Sequence, residues 1–353
     1  MKFSILIVLL SFFVLSCNSR KTSGNIYDIF PEAVSLISAR EVVIEDYLSF
    51  ISRMAIMDSI VIVQSYNSSH NFYAYSIYSG LPMNKLVAYG RSINESLWAN
   101  MQNPYQDNFV MYDVNKSVLG ILPLEQLDDT SVVFERISIQ KEPSFMYTPD
   151  VNMLSGGRFL FKGYDEVKNT VFKITDKDFK TLYDFGSVDE VKLNEEISSK
   201  GVLATQQGSI VVNREGTHWV YTSNCGTTIR FFDGSNRDEI PEETNAYHYD
   251  VPEFKIVGTR AAMLENNVVG VLSATCGNGK YYMLHQSKTI LEDKQKRSGN
   301  VVLVFDLSGK PLCKYKLDRD VKLISYCEKT NSLFGLSVNE KEQDVLIEFE
   351  LVL

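Results

Sequence analysis

From about residue 40 onward the chain is a succession of short runs rich in Val, Ile, Phe and Tyr, broken by Gly, Asn or Asp about every ten residues. Examples are "DSIVIVQSY" from Asp58, "GRFLFKGY" from Gly157, "TTIRFFDG" from Thr227 and "DVLIEFEL" from Asp344. Runs this short, bounded by turn formers, read as strands, and many of them in series belong to a sandwich, a barrel or a propeller. Long amphipathic helices are scarce. Only residues 29–39, "IFPEAVSLISA", and a short piece over 92–101 carry a helical spacing.

An internal repeat selects the propeller, because periods near 40 to 50 residues are the mark of blades or solenoids. The clearest unit is "GNVVLVFDLSGKPLCKYKLDRDVKLISYCEKTNSLFGLSV" near the C-terminus. It reads as a strand ending at Phe305-Asp306, a turn at 308–310, an outer strand 312–317 and a crossover at 318–320. An inner strand 321–326, a turn at Thr330-Asn331 and a strand 333–338 follow, and 345–351 repeats the strand that began the unit. Echoes of that strand-then-turn element fall at 72–80, 117–122, 170–174 and 228–234. With 301–309 and 345–351 they make six copies, which predicts an all-β, six-bladed β-propeller. The last copy ends before a fourth strand is supplied, while residues 39–46, "AREVVIED", read as a strand without a local partner. Residues 42–44 are therefore expected to fill the last blade, so that N- and C-terminal strands close the ring together.

The first 16 residues are of another kind. Lys2 is followed by the apolar run "FSILIVLLSFFVLS", too short to cross a hydrocarbon layer of about 30 Å as a helix and laid out like a secretory signal. Val14-Leu15-Ser16-Cys17 resembles the lipobox of bacterial lipoproteins. That resemblance implies cleavage between Ser16 and Cys17, a diacylglycerol on the Cys17 thiol and an acylated new amine. The expected organisation is a signal peptide over 1–16, a lipidated tether over 17–34 and the propeller over 35–353. Residues 18–25, "NSRKTSGN", have no hydrophobic cluster and read as the leash proper. They lack an acidic run after the cysteine, which favours an outer-membrane anchor facing the periplasm.

The lipobox, the phrases "VFDLSGKPL" (304–312) and "SLFGLSV" (332–338), and the copy count together make the chain similar to the TolB-like six-bladed propeller lipoproteins, kin of the NHL-type propellers. The resemblance implies fold and compartment rather than activity.

Of 353 residues 44% are hydrophobic and 22% charged, ample for a large core. Removal of residues 1–16 takes the basic residues from 35 to 34 against 44 acidic ones, a balance of −10, which speaks against nucleic acid as a partner. Cys225, Cys276, Cys313 and Cys327 allow three pairings; Cys225 with Cys276 is one option and free thiols the plainer one. No zinc spacing occurs, and no cofactor is expected.

Three stretches exceed the repeat and are places for a grafted site: 234–250, acidic and holding His248; 286–300, a charged and solvated loop between the second and third strands of blade five; and 92–108, with Trp98, Pro104 and Tyr105. His70, His218, His248 and His285 have no base partner nearby in sequence, and His218 and His285 could face the ring axis or an inter-blade layer. "LSGG" (154–157) and "GNGK" (277–280) read as hairpin turns, not as a nucleophile elbow or a phosphate loop. Asp128-Asp129 and the set Asp238, Glu239, Glu242 and Glu243 lack the alternation of a calcium loop, and read as solvated. The N-x-S triplets at Asn67, Asn94 and Asn115 carry little weight in a bacterial chain.

These features favour a lipid-anchored, non-catalytic binding or scaffolding module for a peptide, glycan or partner protein. The alternative is a propeller enzyme of the lyase, lactonase or hydrolase sort. It would need at least three His, Asp or Glu side chains from different blades at one axial mouth; 201–212 and 261–274, read as inner strands, are too apolar and amide-rich for that.

Overall fold

The computed structural model describes residues 24–351 apart from 46–47, 49, 67–68, 130–133, 194–197, 258–259 and 295. Ser16 and Cys17, with the signal and most of the leash, lie outside the described residues.

Six antiparallel sheets follow one another along the chain. Blade one is Ile51–Met57, Ile60–Ser65, His70–Ser76 and Pro82–Ala88. Blade two is Ala99–Met101, Asn108–Asp113, Val118–Pro123 and Glu135–Ser138. Blade three is Phe145–Leu154, Arg158–Asp165, Thr170–Thr175 and Thr181–Ser187. Blade four is Gly208–Val212, His218–Ser223, Thr227–Asp233 and Glu242–Tyr249. Blade five is Val268–Gly277, Lys280–Thr289, Gly299–Asp306 and Pro311–Val321. Blade six takes Leu323–Cys327, Ser332–Val338 and Asp344–Glu350 from the C-terminus. Its fourth strand is Ser38–Val43, antiparallel to Asp344–Glu350 with Val42 opposite Leu346. The expected closure is therefore the observed one, and all six sequence echoes are third strands of blades.

The core is divided as the ring requires, with one apolar cluster at each junction between neighbouring blades. Ile62, Phe72 and Phe109 join blades one and two; Leu160, Phe172, Trp219 and Phe232 join three and four; Val42, Tyr75, Phe334 and Leu346 join six and one. Middle strands are covered on both faces, so every residue of Ile60–Ser65 and of Arg158–Asp165 is buried. One blade cannot cover both of its faces, and only the closed ring does.

Several expectations give way. Residues 29–39 are not a helix: a 3-10 turn at Ile26–Ile29, closed by a capping box from Asn25, leads into the strand Val34–Leu36 and then Ser38–Val43. Val34–Leu36 runs parallel to Pro311–Val321 as a fifth strand of blade five. Part of the stretch assigned to the tether thus belongs to the body. Residues 92–101 are turns and the short inner strand of blade two. The second half of 234–250 is the outer strand of blade four, Glu242–Tyr249. Within 201–212 the first half is the helix Ser199–Thr205, and within 261–274 the strand Arg260–Met263 belongs to a separate small sheet with Lys192–Leu193 and Glu253–Val257. The crossover expected at 318–320 is the continuing outer strand of blade five. By contrast, 290–298, the middle of the stretch 286–300, does separate the second and third strands of blade five, while its ends extend those strands, and Asn278-Gly279, both at positive φ, form the expected two-residue hairpin turn.

The N-terminal turn is a plug. Ile26 and Phe30 are buried in the cluster joining blades four and five, and Phe30 meets Phe305 edge-on with ring centroids 5.0 Å apart. Tyr27 Oη lies 2.9 Å from His285 Nδ1, and Thr227 Oγ1 lies 3.0 Å from His285 Nε2. Burial pushes the His285 imidazole down to about 3. The folded value lies below the unfolded value of about 6.5, so this contribution to stability is complete above that pH and is lost as pH falls towards about 3. The slope is about 1.4 kcal/mol per pH unit for one such group. His285→Gln should flatten the pH dependence of the unfolding free energy, read by urea titration between pH 6.5 and 4, by roughly that amount. Parallel curves for the two proteins would refute the assignment.

Candidate functional site

Each blade presents its first strand to the axis, and that strand is a sheet edge with unpaired backbone groups. An edge must be covered or bonded, and here polar side chains of neighbouring blades do it. Ser325 Oγ accepts from the Ile56 backbone N–H at 3.0 Å, tying blade six to blade one. Gln64 Oε1 accepts from Met101 N at 2.8 Å and Gln64 Nε2 donates to Ala99 O at 3.0 Å, tying one to two. Gln102 does the same for two and three, accepting from Val151 N at 2.9 Å and donating to Pro149 O at 3.1 Å. Lys162 Nζ donates to Gly208 O at 3.1 Å between three and four. Between four and five the bond is backbone, Gly226 N to Val268 O at 2.9 Å. Ser273 Oγ and Thr275 Oγ1 accept from Ile324 N and Tyr326 N at 3.1 and 3.2 Å between five and six. Polar groups of first and second strands thus form a circuit of stitches around the axis.

A cavity of about 600 Å³ runs between these strands, walled by Met54, Ile56, Ile210, Val212, Leu272 and Ala274 among others. At the bottom, where first strands turn into second strands, the charged side chains are paired across blades. Arg214 of blade four bonds both Asp107 of blade two and Glu328 of blade six. Lys329 of blade six meets Asp58 of blade one at 2.9 Å. Towards the top, where first strands begin, Arg53 donates to Met101 O at 2.8 Å and pairs with Asp150 of blade three at 2.9 Å. The acids that reach the axis from different blades are therefore each matched to a cation. Among the described residues no three His, Cys, Asp or Glu side chains gather as metal ligands would.

The residues singled out in the sequence separate rather than converge. His285 lies in an inter-blade layer, one of the two placements expected for it. His218 sits at the bottom of blade four, with Nε2 3.5 Å from Asp233. His70 bonds Ser69 in blade one, and His248 lies on the outer strand of blade four, its imidazole lowered by burial. Cys225, Cys276, Cys313 and Cys327 are free thiols. Burial pushes Cys225 up to about 11 and Cys276 up to about 12, so neither is a thiolate nucleophile near neutrality.

Two groupings escaped the sequence reading. Between blades three and four, Lys162 is fully buried and its ammonium is pushed down to about 8 by desolvation, against the pull of Asp150 and Asp189. Nearby, the buried guanidinium of Arg230 bonds Glu243 Oε2 at 2.7 Å, Asp189 Oδ1 at 3.2 Å and Ser187 O at 2.8 Å. The second grouping is apolar and lies outside. Phe50 precedes the first strand of blade one, while Tyr89, Ile93 and Trp98 lie on the connection into blade two, so all four are at the top. They are 61%, 58%, 75% and 45% exposed. Phe50 leans on Tyr66, and Tyr66 Oη bonds Asn100 Oδ1 at 3.2 Å, which ties the start of blade one to the inner strand that follows Trp98; Ile93 lies farther out, where the adjoining Asn94 accepts from Arg136 of the outer strand of blade two. Singly exposed apolar residues are ordinary, but a group of this size and kind marks a contact surface.

A family model described as TolB-like 6-blade propeller-like matches residues 30–329. No curated protein matches the chain. Among solved structures, a Bacteroides fragilis NCTC 9343 protein described as exported aligns at 11% identity over 94% of this chain and 98% of its own, with TM-score 0.50. The β-propeller domain of Swd1 from Myceliophteria thermophila aligns at 8% identity over 90% of this chain and 100% of its own, with TM-score 0.49. The likeness to the first is one of fold.

Proposed function

Since the chain belongs to the TolB-like 6-blade propeller family, we propose that it is a binding or scaffolding module of the cell envelope, held to the outer membrane by an acylated Cys17 and facing the periplasm. A peptide or partner protein docks at the top, over blades one and two. The observation that carries this reading is the set of exposed apolar side chains Phe50, Tyr89, Ile93 and Trp98 on the top loops of blades one and two, while the polar groups of the inner strands already serve the ring. Large rigid aromatics contribute contact area at low entropic cost, and Trp and Tyr are the usual anchors of an interface.

A photo-crosslinking residue placed at Phe50 or Ile93 in living cells should capture a discrete adduct that the same residue at Leu182, on the outer strand of blade three, does not. Trp98→Ala should cut capture by about tenfold or more while leaving the amount of folded protein unchanged. Equal capture at Leu182, or capture indifferent to Trp98, would remove the top patch from consideration.

A further inference from the structure

The N-terminal plug fixes where a tether must leave the body. Tyr27 is held by His285, two residues before Ser287, at 2.9 Å, and its backbone carbonyl accepts from Lys314 Nζ at 3.0 Å. Ser287 opens the charged insertion of blade five, which leaves the second strand at the top, passes through the short helix Ile290–Asp293 and returns at Gly299. Tyr27, three residues from where the described chain begins, therefore stands against the strand that feeds the insertion.

The insertion is built with its charges sorted. Lys288, Lys294, Lys296 and Arg297 are exposed, and Leu291 between them is 63% exposed. Asp293 is turned inward, where its carboxylate accepts from Gln286 Nε2 at 2.6 Å and from the Arg297 backbone N–H at 2.9 Å. Glu292 is engaged by Thr289 at the start of the helix, and Glu265 is the exposed acid on the adjoining loop, whose carbonyl accepts from Leu291 N. None of the four cations holds an ion pair among the described residues. On the insertion and its adjoining loop four cations stand against two exposed acids, with Asp28 and Asp250 exposed beside Tyr27, on a chain whose formal charge is −9.

We propose that this insertion is the surface on which the propeller rests on a bilayer: its four cations meet the phosphates of anionic glycerophospholipids, and Leu291 enters the headgroup region. This rests on the acylated Cys17 of the proposed function. From Cys17 to Asn25 the chain can reach at most ~28 Å, whereas a domain of this length is roughly 50 Å across. The tether therefore holds the face around Tyr27 close to the membrane and cannot bring the opposite side there. Each basic residue near an anionic surface multiplies partitioning about fivefold, an effect that salt screens. The acyl chains hold the insertion at high local concentration, so a modest patch suffices to set orientation.

The test uses the full acylated protein mixed with vesicles of phosphatidylcholine alone or with added phosphatidylglycerol, read by flotation and by trypsin cleavage at the insertion's own lysines and arginine. Flotation on neutral vesicles reports the anchor. With phosphatidylglycerol, cleavage within 288–297 should slow by about tenfold relative to cleavage at Lys341, and high salt should abolish the protection; in the combined K294E, K296E and R297E variant the one remaining site, Lys288, should be cut equally fast on both kinds of vesicle. Equal cleavage in both vesicles overturns the proposal while leaving the anchor standing. Absence of flotation on neutral vesicles overturns the anchor instead. The insertion is then judged by whether the protein floats on phosphatidylglycerol vesicles and loses this in the triple variant; no such flotation overturns it.

Discussion

Excision of Ser38–Val43 should abolish cooperative folding, although it removes only six residues. That strand completes blade six, and without it Asp344–Glu350 becomes an open edge. Val42 and Ile44 also stand in the cluster that joins blades six and one. Each such side chain is worth about 1.5 to 3 kcal/mol when buried, so displacing both takes a large part of the ~5 to 15 kcal/mol that a domain of this kind holds in reserve. The ring magnifies the loss, because a gap at one junction uncovers the faces of two blades. Gly80 marks how closely the junction is fitted. It lies at φ +71°, and a Cβ there would fall 1.9 Å from Val43 O.

The excised protein is expected to aggregate or to melt without a transition in circular dichroism. A peptide carrying residues 34–45, added during refolding, should restore a transition by supplying the missing strand in trans. Gly80→Val should reproduce much of the defect with every strand present. A urea midpoint for the excised protein equal to that of the full chain would show that the ring does not depend on this closure.

What the sequence revealed follows from where each strand sits in a blade. Third strands are covered on both faces and end in tight turns, so "TTIRFFDG" and "VVLVFDLSG" stand out as apolar runs with punctuation. First strands are harder to see. One of their edges carries stitches such as Gln102, Ser273 and Ser325, and that polarity dilutes the run. Outer strands are nearly invisible, because Glu242–Tyr249 has one residue buried and the others partly or fully exposed. An acidic insertion is therefore a natural misreading of it. The N-terminal segment misled for a different reason. Its partners, Tyr315 opposite Val34 and Leu346 opposite Val42, lie some 300 residues away, and its apolar spacing imitates a helix. The closing strand was legible only through the vacancy at the other end of the chain. The candidate surface was half legible: Trp98 lies in a stretch longer than the repeat allows, but its union with Phe50 depends on two blades meeting.

Arg230→Met should cost about 3 to 5 kcal/mol, the usual penalty for removing one member of a buried ion pair. The guanidinium is 3% exposed and Asp189 9%, whereas Glu243, at 34%, can turn to water. The variant therefore strands one carboxylate. Burial already raises the Asp189 carboxyl, with Arg230 opposing it, so the variant should raise it further. A carboxyl whose folded value lies above its unfolded value of about 4 loses stability as pH climbs from there through the folded value. The deficit of Arg230→Met should accordingly be larger at pH 7 than at pH 5, opposite in sign to the His285 contribution. Adding Asp189→Asn removes the stranded charge, and the double variant should recover at least ~1 kcal/mol over the single one at pH 7. Urea unfolding of the wild type, the two single variants and the double variant at the two pH values reads all of this. A deficit under ~1 kcal/mol, or one that shrinks as pH rises, would mean that the guanidinium acts there as packing and not as the counter-charge of Asp189.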